Sequence, residues 1–338
     1  MRHTLTLVLL ALAVVVLALA NVWYGSLHIP SQAVWHIVCG HDVEGHQAWT
    51  YIIWESRVPQ AITALMCGAS LSACGLMLQT TFRNPLAGPS ILGIDAGASL
   101  GVAVVMLLMG GTVSLGTLSV GGYMLVILAA LAGALLVMGL LILLSQVLRG
   151  ALSLLIAGVV ISYVTGSIIQ LLSYLATDEG MHHYVLWGMG NFGSVSRDRM
   201  PVFFPLVACG LACALLLAKP LDALLLGERY ARNLGVNVTR VRQALLLVTG
   251  LLTAVTTAFC GPVSFLGLAV PHMARMLLGT ATHRVLLPSA MLAGAVLALA
   301  CNLLCTLPAG GTIIPINVIT PLVGTPVILY VLLGKAHR

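Results

Sequence analysis

Residues 83–101 read RNPLAGPSILGIDAGASLG, two prolines, four glycines, an Arg and an Asp in an otherwise apolar chain. Pro85 and Pro89 cannot continue a helix, so the preceding helix stops near Phe82 and a new one starts near Ile91. Arg83 and Asn84 share the turn with Pro85. Beyond it, Gly93, Gly97 and Gly101 recur every four residues. That spacing puts three small residues on one helix face and lets a second backbone come close. Asp95 projects from another face. A carboxylate at membrane depth costs about 2.5 to 3.5 kcal/mol on the insertion scale, so it needs water or a partner. Arg83 or the helix N-terminus could supply one, and a place at the headgroup level is as compatible with the sequence as a pathway role.

The rest of the chain says what solvent these helices meet. Its 338 residues are 60% hydrophobic and 7% charged, against about 25% charged in soluble domains. This is an all-α, polytopic membrane protein. A span takes about 20 mostly apolar residues. Spans fall near 4–24, 57–81, 91–110, 121–146, 152–176, 200–217, 241–260, 265–279, 288–306 and 318–333, ten in a single transmembrane domain, 1–338. The third and eighth look short or interrupted, and irregular backbone survives at membrane depth only against protein or a wet cavity. The first segment runs on through Val22, Trp23 and Tyr24 without a small-x-small cleavage site and reads as a retained helix.

Charge sets an expected orientation. With the N-terminus inside, only Arg57, Arg197 and Arg199 of the 15 basic residues fall outside, so the positive-inside rule selects cytoplasmic N- and C-termini. The basic residues are scattered over loops without aromatic interleaving, which gives a nucleic-acid partner little support. Of the eight cysteines, all but Cys39 lie in or beside apolar spans, against a disulfide framework. The pairs Cys209/Cys213 and Cys301/Cys305 could hold a metal in principle; packing residues are the simpler reading.

The outer loops carry His28, His36, His41 and His46 with Asp42 and Glu44, then His182 and His183 with Asp178 and Glu179. They suit a metal or a haem-like ligand, or are solvated loops. His272 and His283 could pair on zinc, but no carboxylate or thiolate in the motif completes a set. The largest inner loop reads KPLDALLLGERYARNLGVNVTRVR over 219–242, two short amphipathic helices separated by Gly227 and stopped by Gly235. There is no G-x-x-x-x-G-K-[ST], so the chain has no P-loop and energy comes from another polypeptide or an ion gradient.

Seven segments, in this order, carry a resemblance: RNPLAGPSILGIDAGASLG at 83–101, LLIAGVVIS at 154–162, LWGMGNFGSVS at 186–196, LLLGERYARNLGV at 224–236, GPVSFLGLAVPHMARMLLG at 261–279, HRVLLPSAMLAGA at 283–295 and PINVITPLVGTPVILYVLL at 315–333. Together they resemble the FecCD-type permease subunits of ABC importers for iron-siderophores, haem and vitamin B12. The resemblance implies the type II importer fold of the vitamin B12 permeases, with ten helices per subunit in the inner membrane. It implies a homodimer or close heterodimer around one pathway, two cytoplasmic ATPase subunits that bind ATP and Mg, and a periplasmic ligand-binding protein. This chain is then no enzyme and holds no cofactor of its own; its other partner is membrane lipid.

By the same resemblance residues 219–240 form the coupling loop, where Leu226, Gly227, Glu228, Arg229, Ala231, Arg232, Leu234 and Gly235 meet the ATPase. Gly150 and Ala151, in the turn at 149–153, stand at the cytoplasmic gate. Arg57, Arg197 and Arg199 remain for docking the binding protein, and Gln60 stands where a second family arginine would be. The sequence departs from the family in the ninth helix, where Cys301, Asn302, Leu304 and Cys305 replace an acidic–arginine pair. It departs again at Ile313, in place of an acidic residue, and at Asp95, in place of a small neutral one. An ion-gradient-coupled transporter of a small organic ligand is the competing class, motivated by the broken helices and Asp95.

Overall fold

In lipid each backbone N–H and C=O must be satisfied within its own segment, so long apolar runs become helices. The computed structural model describes residues 2–41, 47–108, 119–148, 150–306 and 313–336, and among them there is no strand. In chain order the helices are α1 (Arg2–Trp23), α2 (Ser31–Val38), α3 (Gln47–Tyr51), α4 (Val58–Thr81), α5 (Ile94–Ala103), α6 (Ser119–Val147), α7 (Ala151–Leu175) and α8 (Asp178–Gly188). They continue as α9 (Met200–Leu216), α10 (Ala218–Leu225), α11 (Glu228–Asn233), α12 (Val238–Cys260), α13 (Leu266–Leu278), α14 (His283–Thr306) and α15 (Ile316–Ala336). A π-helical turn at Ile52–Arg57 runs α3 into α4, and another at Val104–Leu108 extends α5.

Each of the ten expected spans coincides with an apolar helix. Among the described residues seven helices are long and apolar enough to cross a membrane, and Ile94–Leu108 and Leu266–Leu278 are shorter. The shortness expected of the third and eighth is found in Ile94–Leu108 and Leu266–Leu278, while α15, of 21 residues, contains Pro321 and Pro326.

α4 is the hub. It is buried nearly throughout, from Pro59 to Thr81, and packs on α14, α13, α12 and α9. Small residues make this possible. A Cβ on Gly68 would collide with the Gly294 carbonyl of α14, and one on Gly75 with that of Gly267 in α13. At its 24 residues α4 is about 36 Å long, so it separates an Arg57 end of the bundle from an Arg83 end.

The restart after the prolines differs from expectation. Pro89–Leu92 form a 3₁₀ turn and α5 begins at Ile94, after Gly93 with φ 78°. Gly93 therefore lies off the helix face and against Gly158 and Ser162 of α7, while Gly97 and Gly101 meet Gly133 and Ala129 of α6. One row of three glycines becomes a left-handed cap plus a two-residue seam.

α1 packs along α14. Asn21 Nδ2 donates to Leu299 O at 3.0 Å, Asn302 Nδ2 to Asn21 Oδ1 at 2.7 Å, and Gln60 Nε2 to Asn302 Oδ1 at 3.0 Å. The neutral Asn302, where the family pattern has charge, thus joins α1, α4 and α14 through amides. Gln60 turns into the bundle toward Asn302 and is no substitute for an outer-face arginine.

Candidate transport pathway and coupling surfaces

The 83–101 corner is built from side chains that close their own turn. Asn84 Oδ1 accepts from Leu86 N at 2.9 Å, an Asx turn that holds the chain where Pro85 forbids helix. The Pro85 carbonyl accepts from His272 Nε2 at 2.9 Å, fastening the corner to α13. Arg83 has φ 49° and its Nη2 donates to Leu225 O at 3.3 Å. It reaches the end of α10 and is not the partner of Asp95.

That partner is Thr257 of α12, whose Oγ1 donates to Asp95 Oδ1 at 2.6 Å. Asp95 also lines a cavity of about 190 Å³ with Ser90, Ser264, Phe265 and Gly267. Both broken helices begin there: Pro89–Leu92 leads into α5, and Phe265, with φ 68°, leads into α13. The carboxylate is thus half-buried beside a small cavity in which Ser90 and Ser264 are the other polar side chains, a partnered setting as a charge among apolar helices requires.

At the Arg83 end, α10 and α11 form the two-helix loop the sequence suggests. Gly227 (φ 114°) and Gly235 (φ 81°) mark its breaks. Leu221, Leu224 and Ala231 are buried, which anchors the loop. Leu226, Arg229, Tyr230, Arg232, Leu234 and Gly235 are exposed. Glu228 is bridged by Arg242 of α12 and lies 3.8 Å from Arg232. Of the expected contact residues, Ala231 and Gly227 face inward, so they shape the surface and do not form it. A cleft of about 700 Å³ runs beneath, between Arg83, Leu226, Glu228 and Tyr230.

His283 and Asp222 pin α10 to the core. Asp222 Oδ1 accepts from the His283 backbone N at 2.6 Å and its ring Nδ1 at 2.9 Å, and His283 Nε2 lies 2.8 Å from Thr80 Oγ1. With His272 on Pro85 and His283 on Asp222, the two do not form a zinc pair.

Gly150, with φ 102°, precedes α7 and is exposed with nothing packed over it. Ala151 opens α7, and Arg149 of the same expected turn lies outside the described residues.

At the opposite end the three expected docking arginines part company. Arg57 is only 5% exposed. Its Nη1 donates to Val22 O at 3.0 Å and Trp23 O at 2.9 Å, and its Nη2 to Leu27 O. It ties off the last turn of α1, whose carbonyls have no helical partner, and presents no charge outward. Arg197 is exposed and 3.3 Å from Glu55. Arg199 stacks 3.9 Å from the Tyr123 ring centroid and donates to Ser194 O at 2.9 Å.

The described outer-loop histidines meet at most in pairs. His36 and His41 lie ring to ring at 6.2 Å, and His183 is 4.0 Å from Glu179. Among the described residues no three His, Cys, Asp or Glu are grouped to hold a metal. Asp42, Glu44 and His46 lie outside the described residues. The cysteines are free, with Cys67 and Cys260 Sγ 3.3 Å apart between α4 and α12.

One feature escaped the sequence reading. On α7, Tyr163, Ser167, Gln170 and Tyr174 are all exposed, and their spacing of four, three and four makes one stripe. Val164, Ile168, Leu171 and Leu175 form an exposed apolar stripe beside it. The helical period of the polar residues was visible in the sequence; that this face is uncovered was not.

The FecCD transport family matches residues 11–334. The vitamin B12 import system permease protein BtuC of Klebsiella pneumoniae is 33% identical over 286 residues, 85% of this chain and 83% of its own length. The protein of the same name from Salmonella paratyphi A is 33% identical over 287 residues, 84% of each chain. In shape the chain is similar to a solved inward-facing ABC transporter assigned to the metal-chelate type, with TM-score 0.82, 28% identity and coverage of 97% and 98% of the two chains. A chain of apolar helices with this order of motifs, matched over residues 11–334, belongs to the FecCD transport family and is an ABC-type importer permease.

Proposed function

We propose that this chain is the membrane subunit through which a bulky chelate, an iron-siderophore, haem or a corrinoid, passes from periplasm to cytoplasm. The observation that carries the reading is the surface of α10 and α11. Leu226, Tyr230 and Leu234 are exposed along this segment together with Arg229 and Arg232, and the segment is fastened to the bundle by Leu221, Ala231, Asp222 and Arg83. An apolar, cation-flanked helix held this firmly can pass a rigid-body push to its neighbours.

Two copies of the chain enclose the pathway, and two ATPase subunits bind ATP and Mg beneath it. The Arg83 end is then cytoplasmic, with both termini on that side of the inner membrane, and Gly150 and Ala151 border the inner gate. A periplasmic binding protein docks at Arg197 and Arg199. The cargo class follows the relatives, which are vitamin B12 permeases and a metal-chelate type transporter.

Native mass spectrometry of the gently extracted protein, co-expressed with its neighbours, tests the assembly: two permeases with two ATPase chains are expected. Charge reversal at Glu228 and Arg232 tests the coupling surface. If transport and complex formation survive both reversals, the assignment fails. Asp95 beside a cavity motivates a second reading, uptake driven by an ion gradient. That reading requires uptake to collapse with the proton or sodium gradient while ATP is present.

A further inference from the structure

The Arg83 end of the bundle holds another cavity, of about 470 Å³, lined among others by Gln79, Arg83, Leu225, His272, Arg275 and Met276. Two guanidiniums face it and no carboxylate does. Arg275 Nη1 donates to Gln79 Oε1 at 2.7 Å, and Arg83 Nη2 to the Leu225 carbonyl, so the bonds found for both are to neutral groups. Among the described residues neither arginine has an ion pair. The acids of the neighbouring elements are engaged elsewhere, Asp222 with His283 and Glu228 with Arg242 and Arg232.

Arg275 is partly buried and Arg83 exposed; a partly buried cation such as Arg275 without a counter-charge is unfavourable beside an apolar bundle, because the protein wall replaces water without replacing its solvation. Guanidinium presents a planar fork of donors that matches phosphate oxygens two at a time. We propose that this cavity binds a phosphate-bearing anion, with Arg83 and Arg275 as its cationic walls. Of its lining, Leu225 and Met276 are exposed apolar side chains at the rim. Basic pockets between membrane helices take phospholipid head groups in this way; a free phosphate ion offers the same oxygens without the chains. Arg83 also lines the cleft beneath α10 and α11, so an occupant steadies the arginine that reaches Leu225. The inference does not depend on the cargo or on how transport is energised.

Native mass spectrometry of the full-length chain, extracted from its own membranes, reads retained phospholipid directly. Thermal unfolding with added phosphatidylglycerol, phosphatidylcholine or inorganic phosphate separates the sources. Phosphatidylglycerol-class lipid should be retained by the native chain and reduced about five-fold in Arg275→Gln and in Arg83→Gln, with Arg275→Lys holding it. Stabilisation by inorganic phosphate equal to that by phosphatidylglycerol assigns the site to a soluble anion, and the cavity still stands as an anion site. Arg83 is exposed, so Arg83→Gln reports even if Arg275→Gln fails to fold. The proposal is overturned if neither lipid nor phosphate is retained or stabilises, or if the Gln variants behave as the native chain does.

Discussion

The guanidinium of Arg83 lies directly over Gly227: a Cβ there would sit 2.8 Å from Arg83 Nη2, at a backbone φ of 114°. The first residue of the proline-broken corner thus rests on the break between α10 and α11, the helices proposed to couple to the ATPase. If that segment moves in transport, the Arg83 contact is its direct link to the corner and to α5 beyond it.

Gly227→Ala is therefore expected to do two things. It puts an L-residue where φ is 114° and ψ 152°, at a cost of about 1 to 3 kcal/mol, and it pushes Arg83 away. Transport should fall more than thermal stability does, because Gly227 sits at the loop and not in the core. Gly166→Ala is the control, since nothing lies within 4 Å of a Cβ there. Equal transport by the two variants would remove Gly227 from the coupling path.

Arg57 and Arg197 should separate cleanly. Arg57→Ala strips a charged donor from two carbonyls at the end of α1 and from that of Leu27 just beyond it, and hydrogen bonds to charged groups contribute about 1.5 to 3 kcal/mol. The expected result is a lower melting temperature. Arg197→Glu places like charge beside Glu55 on the surface and should leave melting within about 0.5 kcal/mol of native, while weakening capture of the binding protein. Binding-protein affinity that falls for Arg57→Ala at unchanged melting temperature would reverse this assignment.

The two arginines also mark how far the sequence could be read. Ten apolar segments, the broken third and eighth, and the Gly227 and Gly235 breaks were legible, because lipid forces helices and Pro and Gly punctuate them. The direction of a side chain was not. Arg57 reads as an outer-face charge by topology alone, yet it folds back onto carbonyls 35 residues earlier. Asp95 has Arg83 as its obvious cation, but the turn at Asn84 and Pro85 carries Arg83 to α10 and leaves Asp95 to Thr257 of α12. Pairings across 142 and 162 residues are set by helix packing, which one sequence does not encode in local spacing.

The amide chain Gln60, Asn302 and Asn21 should tolerate wholesale replacement better than a single lesion. Asn302→Leu leaves Asn21 Oδ1 without its donor and Gln60 Nε2 without its acceptor. Unsatisfied buried polar groups cost about 1 to 3 kcal/mol, although interhelical hydrogen bonds in membranes average only about 0.6 kcal/mol. The triple change Asn21→Leu, Gln60→Leu and Asn302→Leu should consequently melt closer to native than Asn302→Leu alone. A triple variant less stable than the single one would show that the amides stabilise by more than satisfying one another.

The stripe on α7 offers a test of whether the proposed pathway runs along this helix. Ser167 Oγ donates to Tyr163 O at 3.0 Å, but the Gln170 amide and the Tyr163 and Tyr174 hydroxyls favour water or a second subunit over lipid, while Val164, Ile168 and Leu171 suit lipid. Single cysteines placed along the helix, with exposed Cys39 and Cys209 first changed to Ser, should react with a membrane-impermeant thiol reagent at positions 163, 167, 170 and 174. Positions 164, 168 and 171 should stay unlabelled. Protection of the polar stripe specifically when the binding protein and ATP are added would follow from its facing the pathway. Uniform labelling around the helix, or labelling of the apolar stripe alone, would move the pathway off α7 and onto the cavity at Asp95.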